Sequence, residues 1–156
     1  MIRVQSEAFD LGDEIAKLSQ DNGRIGAIVS FLGLVRDTVE IDGKPAALTS
    51  MTLEHYPKMT ERQLQELEQE AQQRWELQAV LIIHRYGDLR PGDPIVLVAT
   101  ASAHRQVAFD ACNYLIDWLK TKAPFWKHET TSEGRHWVGA RSSDDAAAKR
   151  WINSKS

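Results

Sequence analysis

VLIIHRYGDLRPGDPIVLVATA, residues 80–101, decides the architecture. Val80 to Tyr86 and Ile95 to Ala101 are two runs of strand length, rich in β-branched and apolar residues. Between them Arg90-Pro91-Gly92-Asp93 is a turn signal: proline fixes φ and glycine tolerates the positive value that such turns need. Two buried strands with a short link predict an antiparallel pair. His84 lies inside the first run and reads as a satisfied structural histidine.

The same logic extends in both directions. Toward the N-terminus, Thr60-Glu61-Arg62-Gln63 matches a capping box, and Leu64, Leu67, Ala71 and Trp75 then recur at helical steps. Before it, Leu48 to Tyr56 alternates as a strand that Pro57 ends. Asp37 to Ala46 is polar and contains the turn pair Asp42-Gly43. Ile25 to Val35 reads as a buried strand, and Leu11 to Gln20 as a short helix stopped by Asp21-Asn22-Gly23. Toward the C-terminus, Ser102 is placed to cap a long helix reaching about Lys120, with Val107, Ala111, Tyr114, Leu115, Trp118 and Leu119 inward. Pro124 forces the chain out of it. His136 to Ala140 suggests a short strand, and Ser143-Asp144-Asp145 the cap of a last helix. The expected class is α+β, in the element order α-ββα-ββα-β-α, with antiparallel hairpins and helices on one face. Residues 1–156 are expected to form a single domain, with the tail 152–156 frayed.

Composition narrows the function. The chain has 156 residues, is 42% hydrophobic and 26% charged, and carries a formal charge of −3. That balance argues against global attraction to nucleic acid. The lone Cys112 excludes an internal disulfide framework and reads as a buried side chain in a reducing compartment. No apolar run approaches the ~20 residues of a membrane span, and the N-terminus does not read as a secretory signal. The expected location is the cytosol. Charge is unevenly spread: Thr60–Glu76 holds five acids and two arginines, while His104–Lys127 holds four Lys/Arg and two Asp. A cationic zone on an acidic protein points to a local anion site.

Four stretches carry groups able to act on an anion. Phe31-Leu32-Gly33-Leu34-Val35-Arg36 ends a strand on an arginine suited to a phosphate. His104 and Arg105 follow Ser102 into a helical first turn, where free N–H groups favour an anion and bare cations are disfavoured. Lys120 and Lys127 flank the apolar Pro124-Phe125-Trp126. A lysine near other cations and against apolar surface has its ammonium destabilised, which suits a nucleophile or acid/base as well as a plain helix-end cation. Trp137-Val138-Gly139-Ala140-Arg141 offers another arginine. The five histidines show no tight ligand spacing, so no metal is expected, and there is no P-loop, GxGxxG or GxSxG.

In order and spacing, these stretches resemble the large subunit of molybdopterin synthase. The matching segments are Phe31–Arg36, Leu53–Pro57 with Met59-Thr60, Ile83–Arg85 with Gly87, Pro91–Asp93, Ser102–Arg105, Lys120–Lys127, and Trp137 with Ala140-Arg141. The resemblance implies an α/β hammerhead-type fold with antiparallel sheets. It implies a homodimer with a small sulfur-carrier subunit on each end, a heterotetramer in all. The carrier's C-terminal Gly-Gly thiocarboxylate would donate sulfur to cyclic pyranopterin monophosphate, forming the dithiolene of molybdopterin without a further cofactor. By the same resemblance Lys120 and Lys127 are the catalytic residues. Leu34, Val35, Arg36, His104, Arg105, His128, Glu129 and Arg141 join them in binding substrate, with Arg141 supplied across the dimer. Leu34 stands where many relatives carry a basic residue, and His128 is likewise variable. The alternatives are a non-catalytic module binding a ubiquitin-like carrier, or a regulator binding a small anion or nucleotide.

Overall fold

The structure is a computed structural model describing residues 1–139 and 142–152, the side chains of Ser142 and Ser143 excepted. Its elements are β1 (Ile2–Gln5), α1 (Leu11–Ser19), β2 (Ala27–Leu34), β3 (Thr38–Ile41), β4 (Lys44–His55), α2 (Pro57–Arg74) and β5 (Ala79–Arg85). There follow β6 (Gly87–Leu89), β7 (Pro94–Ser102), α3 (Arg105–Lys122), β8 (Phe125–Thr131), β9 (Gly134–Val138) and α4 (Ser142–Lys149). The α+β class stands, with two sheets. The first runs β1-β5-β7-β2; the second runs β3-β4-β8-β9, with β6 added on β4. Every pairing is antiparallel except β1 on β5, which is parallel.

The strands β5 and β7 are the predicted pair, with Ile82 opposite Val98. The turn before β7 is closed twice: Asp93 N–H donates to the Arg90 carbonyl at 3.0 Å, and the Arg90 N–H donates to the Asp93 carboxylate at 2.8 Å. Gly92 takes φ +89° there. Alternation along the strands sends side chains to opposite faces. Val80, Ile82 and Val98 meet Leu64, Leu67 and Ala71 of α2 and Cys112, Tyr114, Leu115 and Leu119 of α3. Leu81, Ile83, Leu97 and Ala99 meet Leu11, Ile15 and Leu18 of α1. The helices therefore cover both faces of the first sheet, not one. The runs at 80–86 and 95–101 are apolar at every step because both faces are buried. A third cluster, Val35, Val39, Leu48, Met51, Leu53 and Leu89, lies under the second sheet.

Other local expectations need correction. Asp37–Ala46 is a β3–β4 hairpin, with Asp42 at φ 49° and Gly43 at φ 76°. Positive φ at both positions matches the twist of the flanking strands. Thr60 and Gln63 make no capping box. The Thr60 N–H donates to the Tyr56 carbonyl at 2.8 Å, so Tyr56 is the cap residue and Pro57 takes the first helical position, where its missing N–H costs nothing. Thr60 is buried and its hydroxyl has no partner among the described residues. Ser102 does not cap α3 either. It ends β7, its hydroxyl donates to the Glu76 carbonyl at 3.1 Å, and His104 occupies the cap position. Cys112 is buried, as expected. The frayed-tail expectation concerns residues 152–156, of which 153–156 lie outside the described residues.

Candidate active site

The last turn of α3, the end of β2 and the second sheet meet at a cavity of about 570 Å³, a size ordinary for a small-molecule site. Its apolar lining includes Phe31, Val96, Val98, Ile116, Leu119 and Phe125. Its polar lining is Arg36, His84, Lys120, Lys127, Glu129 and Asp144. An apolar base with charged groups at the mouth suits a flat molecule carrying an anionic substituent.

Each charged group is held by its element. Lys120 rides the last turn of α3, whose end is fixed by the Ala123 N–H donating to the Leu119 carbonyl. Pro124 then turns the chain into β8. Alternation on β8 sends Phe125, Lys127 and Glu129 into the cavity. Both lysines face a carboxylate: Lys120 Nζ stands 4.0 Å from Asp144 and Lys127 Nζ 3.6 Å from Glu129. Arg36, exposed after β2, has no hydrogen bond or ion pair among the described residues. Glu129 is thus a lysine partner inside the cavity, and Leu34 contributes an exposed apolar wall.

Several expected residues lie elsewhere. Val35 is buried in the third cluster. Its N–H already donates to the Asp93 carbonyl at 2.9 Å and its carbonyl accepts from Gly92 at 2.8 Å, so no backbone donor is left there for a substrate. His128 belongs to the opposite alternation of β8; its ring packs on Trp137 at 3.3 Å and faces Glu54 at 3.9 Å. His104 and Arg105 line a second depression, of about 460 Å³, with Gly26, Ala27, Ala103 and Gln106. They start α3 while Lys120 sits in its last turn, roughly 22 Å away along the axis at 1.5 Å per residue. The helix N-terminus does lie beside them, as anticipated. Gly26 is required there, since a Cβ would sit 2.3 Å from the Ala103 carbonyl oxygen. Arg141 lies outside the described residues.

Asp144 and His84 are cavity residues that the sequence did not reveal. Asp144 reads as a helix-capping acid. His84 occupies the third place in the row Val80, Ile82, His84, all facing the α2–α3 side. That row was the available signal: a polar residue at an inward position near a strand end. The His84 ring stacks on Phe125 with centroids 3.6 Å apart and planes 14° off parallel. Burial pushes its imidazole down to about 4 from the ordinary 6.5, the nearby His55 adds to this, and the hydrogen bond to the Arg85 carbonyl opposes it.

That depression predicts an acid-linked loss of stability. The folded protein resists protonating His84, whereas the unfolded chain protonates it near 6.5. The contribution is therefore fully present above about pH 6.5 and is lost as pH falls toward 4. Urea unfolding of the wild type at pH 7 and pH 4.5 should differ by more than in His84→Phe, by on the order of 2–3 kcal/mol. Equal pH dependence in the two proteins would show that His84 does not titrate this way.

Among the described residues no group of three or more His, Cys, Asp or Glu side chains gathers as a metal site. Among the described residues no helix is long and apolar enough to cross a membrane. Residues 4–122 match the family model described as MoaE protein. A molybdopterin synthase catalytic subunit from Pseudomonas aeruginosa is 56% identical over 150 residues, covering 96% of this chain and 97% of that protein. The solved structure of a molybdopterin biosynthesis MoaE protein from Burkholderia ambifaria superposes with a TM-score of 0.81 at 49% identity, covering 97% of each chain. Molybdopterin synthase from Staphylococcus aureus superposes with a TM-score of 0.78 at 30% identity, covering 88% of this chain and 96% of that one.

Proposed function

The chain belongs to the MoaE protein family, and from that premise we propose that it acts as the sulfur-transferring catalytic subunit of a cytosolic molybdopterin synthase. The observation that carries the reading is the single cavity on which Arg36, Lys120 and Lys127 converge above an apolar base. Its substrate is cyclic pyranopterin monophosphate. The flat ring suits the apolar base, and the phosphate suits the three cations, each charged hydrogen bond contributing roughly 1.5–3 kcal/mol. The sulfur donor is the thiocarboxylate ending the Gly-Gly tail of a small carrier subunit. Transfer forms a carbon–sulfur bond at the pterin side chain in place of a carbon–oxygen bond, whose oxygen leaves with a proton. Water then cleaves the carrier's acyl–sulfur bond, returning the tail as a carboxylate. Two carriers supply the two sulfurs of the dithiolene. Lys120 stands where an amine can meet the reacting atoms, as acid/base, as charge or as transient covalent partner. Lys127 and Arg36 hold the anions.

The chain works as a homodimer with one carrier per subunit. His104 and Arg105 lie too far from Lys120 to serve the same cavity within one chain. A second copy is the means by which that pair reaches it. Turnover of cyclic pyranopterin monophosphate with a thiocarboxylated carrier tests the proposal. Molybdopterin should form stoichiometrically with carrier consumed. Tight carrier binding with no product would make the chain a carrier-binding module instead.

A further inference from the structure

His84 has one ring nitrogen engaged and one left over. Nδ1 lies 2.9 Å from the Arg85 carbonyl oxygen. A carbonyl only accepts, so Nδ1 carries the hydrogen and Nε2 presents a lone pair. Nε2 has no protein partner among the described residues and is not sealed off from the space beside it. The residue itself is 6% exposed, and the space it opens onto is the cavity it lines. The ring is clamped by its stack on Phe125, which fixes the direction of the lone pair.

Of the other polar side chains lining the cavity, Arg36, Lys120 and Lys127 only donate, and the acceptors Glu129 and Asp144 each stand beside a lysine. A flat heterocycle pushed into the apolar base would bury its ring N–H groups, and a buried donor needs an acceptor. We propose that Nε2 of His84 accepts a hydrogen bond from a ring N–H or O–H of the heterocyclic substrate, making His84 a substrate-binding residue at the base of the cavity. The low basicity of the buried imidazole keeps the acceptor neutral throughout the physiological range. This inference rests on the pterin-processing reading above and adds a contact to it.

Two isosteric variants separate the nitrogens. His84→Asn can keep the bond to the Arg85 carbonyl but does not reach the cavity. His84→Gln can place its side-chain oxygen where Nε2 stands. Steady-state turnover is measured with cyclic pyranopterin monophosphate varied at saturating thiocarboxylated carrier, together with carrier affinity and thermal melting. His84→Asn should raise the KM for the pterin about tenfold, while kcat and carrier affinity stay within about threefold of wild type. His84→Gln should bring the KM back to within about threefold of wild type. The opposite order, with Asn normal and Gln impaired, would make the histidine purely structural and overturn the proposal. So would parallel loss of turnover and melting temperature in both variants. A defect confined to carrier affinity would overturn it as well, since the donor would then be a peptide amide of the tail. Wild-type protein that makes no product at all would reject the enzyme reading rather than this contact.

Discussion

Lys120→Ala is expected to yield no detectable molybdopterin in a single turnover with preloaded carrier, with its fold and carrier docking intact. Lys120 sits on the last turn of α3 with a half-exposed side chain facing Asp144 at 4.0 Å, so truncating it leaves no buried void and breaks only a weak ion pair. Nothing in the core depends on it. A positioned acid or base contributes on the order of 10²–10⁴ in rate, and a covalent role would contribute more. Lys120→Arg separates these from plain charge, because a guanidinium stays protonated and is neither nucleophile nor base. The expected result is failure of both variants. A near-normal rate for Lys120→Arg would mean that the amine serves only as a cation. Lys127→Ala, which removes a cation but not the amine on α3, should be severely slowed but measurable.

Tyr114→Ala should lower stability by about 3–5 kcal/mol, the range for removing a large buried ring. Tyr114 is 1% exposed. Trp75 meets its ring edge-on at 5.3 Å and Trp151 at 5.6 Å, while the Arg74 guanidinium lies over it at 4.8 Å. Its hydroxyl donates to Glu70 at 2.7 Å. One side chain thus joins α2, α3 and the segment after α4. For a chain of this length the loss corresponds to a fall in Tm on the order of 10 °C. Tyr114→Phe keeps the ring contacts and loses the bond to the partly exposed Glu70, so about 1 kcal/mol is expected. Equal melting temperatures for wild type and Tyr114→Ala would refute this account of how α3 is anchored. Because Lys120 belongs to the same helix, activity should fall more steeply on warming in the Ala variant than in Phe.

Local periodicity carried much of the fold. The strands 80–86 and 95–101, the turn at 90–93, the long third helix and the burial of Cys112 were legible because hydrophobic spacing and turn residues are short-range signals. β1, β3, β6 and β8 were not. β1 has four residues and β6 three, too few to show a period. β8 is written Phe-Trp-Lys-His-Glu-Thr-Thr, and its alternation is between cavity and outer face rather than between apolar and polar. Thr60 misled because a hydroxyl three residues from a glutamine marks a cap only where the backbone leaves helical geometry, and Ser102 because it still belongs to β7, two residues before the cap position of α3. At the site, Arg36, Lys120, Lys127 and Glu129 were found and converge on one cavity. His84 was read as structural because its apolar run resembles a core strand, and the cavity that reaches it is built by segments distant in sequence. The distance between Lys120 and the His104–Arg105 pair follows from helix length, which nearness in charge pattern does not express.

The central place of β7 bears on how the chain assembles during synthesis. β7 pairs with β5 on one side and β2 on the other, setting Ala27 opposite Ser102. The β3–β4 hairpin can close on its own turn, but β2 has no partner until β7 leaves the ribosome. At about 5–20 residues per second this leaves β2 waiting for several seconds. Its Val29 and Phe31, which later pack against the core, stay uncovered in that interval, beside an open edge of backbone donors and acceptors. Translation paused before β7 has emerged prolongs this exposed stage, and a slow codon is better tolerated once Ser102 has cleared the ribosome than before.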